Sequence, residues 1–255
     1  MDRRIHGRKD HNDVAVSLCC LGQVYATKGR WDDSVSLCEE SLAMYRRIHG
    51  SKDHNSVASS LRGLALVYKA QGRLDASASL QEESLAMYRR IHGSKDLIVV
   101  AVVLLSLAQV YKAQGRLDAS ASLHEESLAM SRRIHGSKDH RGVAASLDSL
   151  ALVYKAQGRL DASVSLQEES LAMTRRIHGS KDHSDVAATL RHLGLMYKAQ
   201  GRLDASASLH EESLAMKQRI HGKDHSDVAA SLCSLAEVYE AQGRLDASAS
   251  LHEES

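Results

Sequence analysis

The sequence predicts an all-α fold in which antiparallel helix pairs stack along the chain as a solenoid. Apolar residues recur at helical spacing within each of several similar segments, and no stretch alternates apolar and polar residues as a strand does. A fixed period of roughly 20 to 50 residues indicates a repeat array and not a single globular core. The period here is 43 residues four times and then 42, as marked by Gly29, Gly72, Gly115, Gly158, Gly201 and Gly243.

The boundaries of the repeats follow from the same comparison of copies. The pentapeptide RRIHG at Arg3–Gly7 matches Arg46–Gly50, which closes the next copy. Residues 1–9 are therefore predicted to be the tail of a preceding repeat's second helix, helix B. Residues 10–255 are predicted to form the array, in units of about 10–52, 53–95, 96–138, 139–181, 182–223 and 224–255, the last of them truncated.

The first helix of each unit, helix A, is clearest in the second copy. Its apolar stripe has the spacing i, i+3, i+4, i+7 at Leu61, Leu64, Ala65 and Tyr68. We expect Asp53 to cap its N-terminus, and we expect Gly72 to end it because glycine readily takes the left-handed conformation. Some copies carry a second acid that favours the first turn, in the pairs Asp10/Asp13, Asp182/Asp185 and Asp224/Asp227.

Helix B of the second copy is predicted to begin near Leu74 and to end at Gly93. Its apolar face is wide enough to contact both its partner and the next repeat, because it has two stripes, Leu74–Ala78–Leu85 and Leu80–Met87–Ile91. Ser77 and Ser84 stand within this face. A buried hydroxyl can bond back to the carbonyl four residues earlier, which tends to bend a helix, so we expect weak stability of each repeat, offset by stacking.

Helix A carries the pattern L-x-x-L-[GA]-x-x-Y in all six copies, from Leu18–Leu21–Gly22–Tyr25 to Leu232–Leu235–Ala236–Tyr239. This pattern, followed by a glycine and a second helix, resembles the tetratricopeptide repeat over essentially the whole chain. The period and the linker HGKDHSDVA at His221–Ala229 resemble the kinesin light chain type. The resemblance implies a right-handed superhelical solenoid whose concave groove is lined by helices A. It also implies a non-catalytic scaffold that binds a protein or a peptide.

In the kinesin light chain type, two adjacent asparagines follow the first leucine of helix A and contact bound peptide. No asparagine stands at these positions here, which hold Cys19-Cys20, Arg62-Gly63, Leu105-Ser106, Asp148-Ser149, Arg191-His192 and Cys233-Ser234. The heptad coiled coil expected for pairing with a kinesin heavy chain is also missing from this sequence. The resemblance therefore does not extend to that peptide contact or to a motor-adaptor identity.

Positions that vary between otherwise nearly identical copies lie on one face of helix A, apart from the core stripe. We interpret this face as a peptide-binding groove with a row of lysines, suited to an extended or helical segment with some acidic character. The alternative is a solvated surface that is free to drift. The predicted groove residues are Arg62, Leu66, Lys69, Leu105, Gln109, Lys112, Asp148, Leu152, Lys155, Arg191, His192, Leu195 and Lys198.

The apolar run Leu97–Leu105 replaces the polar start of helix A in neighbouring copies. Val102 and Leu105 are expected to face the groove, and Leu97 to Val99 the linker edge. An exposed apolar patch can mark an interaction site, whereas burial against adjacent repeats would explain the run without a function. The ends lack a capping helix, which indicates either a segment of a longer array or molecules that stack head to tail. Stacking, together with this run, gives an alternative function, a structural array that self-associates.

The sequence predicts no metal, cofactor or catalytic site. Each linker holds two histidines, as at His49 and His54, but this spacing lacks a helix-spaced pair or a cysteine partner and is explained by capping. Cys19 and Cys20 are interpreted as small apolar-like thiols in a helix and not as nucleophiles. The His-Glu-Glu sequences are expected on the helix surface, at His124, His210 and His252.

Composition restricts the class of partner. The chain has 33 basic and 32 acidic residues, for a formal charge of +1, which supports neither nucleic acid nor a membrane surface as a partner. Its 4 cysteines form no C-x-x-C pair, so free thiols in a reducing compartment are expected. The N-terminus lacks the apolar core of a secretory signal. The sequence thus predicts a cytoplasmic protein whose partner is a protein or a peptide.

Overall fold

The computed structural model describes residues 10–93, 95, 97–136, 138–222 and 225–254. Over these residues the chain forms α-helices joined by short turns, and none of these residues is in a strand. The all-α prediction is confirmed. The predicted helix B tail at residues 1–9 lies outside the described residues.

Each described repeat consists of a helix A followed by a helix B. The helices A are α1 (Asn12–Thr27), α3 (Asn55–Ala70), α5 (Ile98–Ala113), α7 (Arg141–Ala156), α9 (Ser184–Ala199) and α11 (Ser226–Ala241). The helices B are α2 (Trp31–His49), α4 (Leu74–His92), α6 (Leu117–His135), α8 (Leu160–His178), α10 (Leu203–His221) and α12 (Leu245–Glu254).

The chain divides into two compact units, Met1–Met130 (unit 1) and Ser131–Ser255 (unit 2). In unit 1, α1 packs on α2 and α3 packs on α4, while α2 and α4 each also contact the helix A that follows. In unit 2, the pairs α7–α8, α9–α10 and α11–α12 pack in the same way, and α8 and α10 contact the next helix A. Helix B therefore has two neighbours within each unit, as its wide apolar face predicts.

The core of each unit consists of the predicted stripes. In α3 the stripe residues Leu61, Leu64, Ala65 and Tyr68 are all buried. In unit 2, side chains from α8, α9 and α10 form one apolar cluster that includes Val164, Leu190, Leu193, Met196 and Met216. Burial of such leucine and methionine side chains contributes roughly 1.5 to 3 kcal/mol each, so the stripes account for most of the packing.

Helix A is capped by a histidine, which corrects the prediction for Asp53. His54 Nδ1 accepts a hydrogen bond from the Ser56 N–H at 3.2 Å. Asp53 lies one residue too early to cap, and its carboxylate instead accepts two hydrogen bonds from Arg90, at 2.6 and 2.8 Å. Leu97 at the start of α5 makes no side-chain cap. The same capping bond is made by His11, His140, His183 and His225.

The predicted acids of the first turn are present. Asp13, Asp185 and Asp227 lie in the first turns of α1, α9 and α11, where their negative charge complements the helix dipole. Asp10 pairs with Arg47 at 2.7 Å and does not cap. Asp224 lies outside the described residues.

Glycine ends both helices, as the sequence predicts. Gly72 has a φ of 76° and lets the Arg73 N–H reach back to the Tyr68 carbonyl at 2.9 Å. The guanidinium group of Arg73 lies 4.1 Å from the centroid of the Tyr68 ring, a cation–π contact that closes the turn. Gly93 has a φ of 64° and ends helix B.

The hydroxyls of Ser77 and Ser84 donate to helix A and not to the carbonyl four residues earlier in their own helix, so that expectation is wrong. The Ser77 hydroxyl donates to the Ala65 carbonyl at 2.7 Å, and the Ser84 hydroxyl donates to the Ala58 carbonyl at 2.7 Å. Both acceptors lie in helix A of the same repeat, because the serines point from helix B directly at that helix. These hydroxyls therefore tie the two helices of a pair together.

Polar contacts at fixed intervals connect successive repeats within each unit. In unit 1, the Tyr68 hydroxyl donates to Glu39 Oε1 at 2.7 Å, and Arg46 pairs with Glu83 at 2.8 Å. The corresponding pairs in unit 2 are Tyr197–Glu168 at 2.6 Å and Arg175–Glu212 at 2.6 Å. The arginine pairs are half-exposed and contribute at most about 1 kcal/mol each, so they orient repeats more than they stabilise them.

Candidate functional site

The predicted groove residues, which we call the helix A face, lie on two helices of each unit. Unit 1 contains Arg62, Leu66 and Lys69 on α3 and Leu105, Gln109 and Lys112 on α5. Unit 2 contains Asp148, Leu152 and Lys155 on α7 and Arg191, His192, Leu195 and Lys198 on α9.

In unit 1 the apolar part of the helix A face is accessible. Leu66 is 40% exposed, whereas Leu105 and Lys112 are half-buried. Arg62 is half-buried, and its Nε has no hydrogen-bond partner among the described residues. A buried guanidinium N–H without a partner is costly. Arg62 is therefore a candidate to bind an acceptor on a ligand.

Lys69 and Gln109 come together across α3 and α5. Lys69 Nζ donates to Gln109 Oε1 at 2.6 Å, and Gln109 is exposed. Burial lowers the pKa of Lys69. This lysine of the predicted row is thus engaged with the next repeat, and a ligand has to compete with Gln109 for it.

In unit 2 the helix A face is more polar. Asp148 is half-buried and accepts a hydrogen bond from Gln167 Nε2 at 2.8 Å, and burial raises the pKa of Asp148. Leu152 is half-buried and packs against the core cluster of this unit. Lys155 and Leu195 are also half-buried. This face therefore offers few apolar contacts and several charged ones.

The charged residues of α9 are also in contact with neighbours. Arg191 Nη2 lies 3.2 Å from His192 Nε2. Lys198 Nζ donates to Glu237 Oε2 at 2.9 Å. This contact is the counterpart in unit 2 of the Lys69–Gln109 contact in unit 1. Lys69 and Lys198 are therefore each in contact with the next repeat of their own unit and are not unpaired cations.

A second variable row lies on helix B, where sequence reasoning did not place one. Its members, 0 to 2% exposed, are Cys38, Gln81, His124, Gln167 and His210. In the fourth repeat, the Gln167–Asp148 hydrogen bond places this row directly behind the helix A face. In the sequence, this row is marked by residues that vary between copies within a helix B that is otherwise almost identical.

The expectation that His124 and His210 lie on the helix surface is wrong. Both side chains are 1% exposed. His124 falls three residues after Ala121 and four before Leu128, so helical periodicity places it on the buried stripe. Only His252 of the three is exposed, at 46%.

Burial lowers the pKa of His124 to about 4, with a smaller effect from the Lys112 charge. Burial also lowers the pKa of His210 to about 4, and Arg191, Lys198 and Lys217 add to the shift, whereas Glu237 opposes it. Both rings are therefore neutral at pH 7. His210 lies against Gly194 on α9, where a Cβ would come within 2.8 Å of its Nε2.

Unit 1 contains an open cavity of about 610 Å³ between its helices. Val16 and Ser59 in its lining lie one helical turn before the variable residues Cys19 on α1 and Arg62 on α3. Tyr45 and Tyr88 contribute aromatic side chains from helix B, at a position that varies between copies and that sequence reasoning missed. The lining residues are Val16, Cys19, Cys20, Tyr45, Asn55, Ser56, Ser59, Ser60, Tyr88, His92, Leu97 and Val99.

The apolar run at the start of α5 is partly buried and partly exposed. Val103 and Leu104 are fully buried, which explains much of the run by packing. Ile98 is 60% exposed and Val102 is 41% exposed. Leu97 and Val99 line the cavity of unit 1.

The cysteines are free thiols in the structure. Burial raises the pKa of Cys38 to about 11 and also raises the pKa of Cys19. A thiol in such a setting stays protonated at neutral pH and is a poor nucleophile. Among the described residues, one group has the donor set for a metal ion: His178, His183 and Asp185. No described helix is both long enough and apolar enough to cross a membrane.

Comparison with known proteins agrees with this architecture. The model of the tetratricopeptide repeat matches residues 13–90, 99–176 and 185–255. A search of curated protein sequences gave no match.

Solved structures share the fold. BtubC (BKLC) from P. vanneervenii is 21% identical, with a TM-score of 0.73 over 88% of each chain. A putative kinesin light chain from Podospora anserina, with nearly identical repeats, is 24% identical, with a TM-score of 0.73 over 83% of this chain and 98% of that one. A signal transduction ATPase with a tetratricopeptide repeat sensor from Pyrococcus horikoshii is 15% identical, with a TM-score of 0.76 over 98% of this chain and 37% of that one.

Proposed function

Because this chain belongs to the tetratricopeptide repeat family, a family of protein–protein interaction scaffolds, we propose that it binds a peptide or protein segment on its helix A face. The observation that carries the proposal is where the copies differ. Their variation is concentrated on the helix A face and on the buried helix B row behind it, while the packing residues are repeated almost unchanged. Variation concentrated on helix A and on the helix B positions behind it is the pattern of a surface whose contacts are specified repeat by repeat.

The chemistry of unit 1 favours a ligand with an apolar anchor and an acidic group. The cavity beside Tyr45 and Tyr88 has room for a large apolar side chain. Arg62 carries a buried Nε with no partner among the described residues, and exposed Leu66 lies one turn further along the same helix. An extended or helical segment that places a carboxylate near Arg62 satisfies both features.

The test uses peptides selected from a random display library on the full-length chain. We expect the variant Arg62→Ala/Lys155→Ala/Arg191→Ala to bind the selected peptides at least about tenfold more weakly than wild type, because arginines in desolvated positions dominate such interfaces. The matched control removes three exposed lysines outside the helices, Lys28→Ala/Lys52→Ala/Lys181→Ala, and should leave affinity nearly unchanged. Equal losses in both variants would show that net charge, and not the helix A face, accounts for binding.

A second candidate function is head-to-tail self-association. Leu21 and Val24 on α1 are 42% and 47% exposed, whereas their counterparts in the next copy, Leu64 and Val67, are 3% and 4% exposed. A second copy that packs on α1 as one repeat packs on another would cover them. Sedimentation of wild type and of Val24→Asp over a range of concentrations distinguishes the two functions. Self-association requires a mass that rises with concentration and that Val24→Asp abolishes.

A further inference from the structure

We propose that His178, His183 and Asp185 form a binding site for a divalent transition-metal ion such as Zn²⁺, at the junction of α8 and α9. The three residues offer two imidazole nitrogens and a carboxylate oxygen, a donor set that zinc uses in proteins. Their donor atoms all lie within 4.8 Å of one another. The site lies in unit 2 on the linker between two repeats, so it is independent of peptide binding on the helix A face.

The distances fit a tetrahedral ion. Two donors that are each about 2.0 to 2.2 Å from a tetrahedral centre lie roughly 3.3 to 3.6 Å apart. Asp185 Oδ2 is 3.4 Å from His178 Nε2 and 3.8 Å from His183 Nδ1. Both distances are close to those of a tetrahedral site, and rotation of one stacked imidazole is needed to point both ring nitrogens at one ion.

Two of the donor atoms are buried, and one of them lacks a hydrogen bond. His178 Nε2 has no hydrogen-bond partner among the described residues, and the His178 side chain is only 16% exposed. The Asp185 carboxylate is ion-paired with Arg141, whose Nε lies 3.0 Å from Oδ2 and whose Nη2 donates to Oδ1 at 3.2 Å. The Arg141 side chain is 73% exposed, so it is able to swing into solvent when an ion takes its place.

The linker brings the two imidazoles next to each other before an ion binds, and one ring has to rotate out of the stack to bind it. The rings of His178 and His183 stack with their centroids 3.4 Å apart. His183 Nδ1 also accepts the Asp185 N–H at 3.1 Å and caps α9, so the ion replaces this hydrogen bond. The N-terminus of a helix disfavours a cation, and the Asp185 carboxylate supplies the compensating charge.

Comparison with the other linkers between repeats shows that the Asp185 carboxylate distinguishes this site. The same stacked pair occurs at His49–His54 and His135–His140, with centroids 3.5 and 3.4 Å apart. Serine and glycine stand two residues after these pairs, at Ser56 and Gly142. The linker before α11 does carry Asp227, but its histidine rings are 4.5 Å apart and exposed. Among the described linkers, only that of His178 combines close stacking, burial and a carboxylate.

The experiment measures Zn²⁺ binding to the metal-free full-length chain by calorimetry. We expect one site per chain, weakened at least about tenfold by Asp185→Ser, because removing a ligand costs at least as much as removing an outer partner. Asp227→Ser is the matched control and should leave that site intact. Ser56→Asp should add a second site beside the stacked His49–His54 pair.

Co²⁺ distinguishes this site from the thiols of Cys19 and Cys20, since thiolate ligands give an intense near-ultraviolet charge-transfer band that imidazole and carboxylate ligands do not. Folding of each variant is checked by circular dichroism. The proposal is overturned if Asp185→Ser binds Zn²⁺ as wild type does, if wild type shows no binding, or if the cobalt spectrum is that of a thiolate site.

Discussion

His124 and His210 occupy a helix B position that neighbouring copies fill with glutamine, at Gln81 and Gln167. Their rings are buried and neutral at pH 7, since burial lowers the pKa of each to about 4. In the unfolded chain an ordinary histidine has a pKa near 6.5. The unfolded state therefore binds more protons than the folded state between about pH 6.5 and pH 4, and stability falls as pH falls through this range.

Replacing both histidines by the glutamine of the neighbouring copies should flatten this pH dependence. Wild type is expected to lose about 1 to 2 kcal/mol per histidine between pH 7 and pH 5, and His124→Gln/His210→Gln should lose much less. Urea unfolding at the two pH values measures the difference. An equally steep loss in the variant would mean that other groups govern the acid sensitivity.

At the scale of the helix pair, stability depends on hydroxyl groups that bridge the two helices. Ser77 and Ser84 each donate to a carbonyl of helix A at 2.7 Å, and unit 2 repeats this arrangement at Ser206 and Ser213. The acceptor carbonyls lie inside helix A, where the backbone is already bonded. Each serine thus adds a specific contact between helices without disturbing either one.

Ser84→Ala should destabilise the chain by about 1 kcal/mol, because it removes a buried hydrogen bond and leaves little space behind. Ser79→Ala is the matched control, since Ser79 lies on the exposed side of the same helix and should change stability by only a few tenths of a kcal/mol. Guanidinium unfolding curves compare the two. If Ser84→Ala proves no more destabilising than Ser79→Ala, the bridging role is wrong.

The element boundaries were predictable because glycine and periodicity are local signals. The stop at Gly72 and the stripe at Leu61 follow from backbone geometry and from the 3.6-residue turn. The cap was not predictable in the same way. Asp53 has the better capping side chain, but Arg90 engages it from the end of helix B, 37 residues away, and His54 caps instead.

At the scale of the whole chain, the repeat period identifies the architecture, and the variable positions identify a candidate surface. The sequence predicted helices at the residues of the helix A face, and all four helices are present. It did not reveal that Lys69 and Lys198 contact the next repeat, because Gln109 and Glu237 reach them through space and not along one helix. Nor did it reveal the buried helix B row, because polar side chains at the interior of a helix pair resemble surface residues in the sequence.

The central claim is that ligands bind on the helix A face. A photo-crosslinking benzoylphenylalanine placed at Leu66, which is 40% exposed on that face, tests it directly with a peptide selected on the wild-type chain. The same group at Ala86, which is exposed on helix B, is the control. We expect the peptide to crosslink from position 66 and not from position 86. Crosslinking from position 86 alone would contradict the claim.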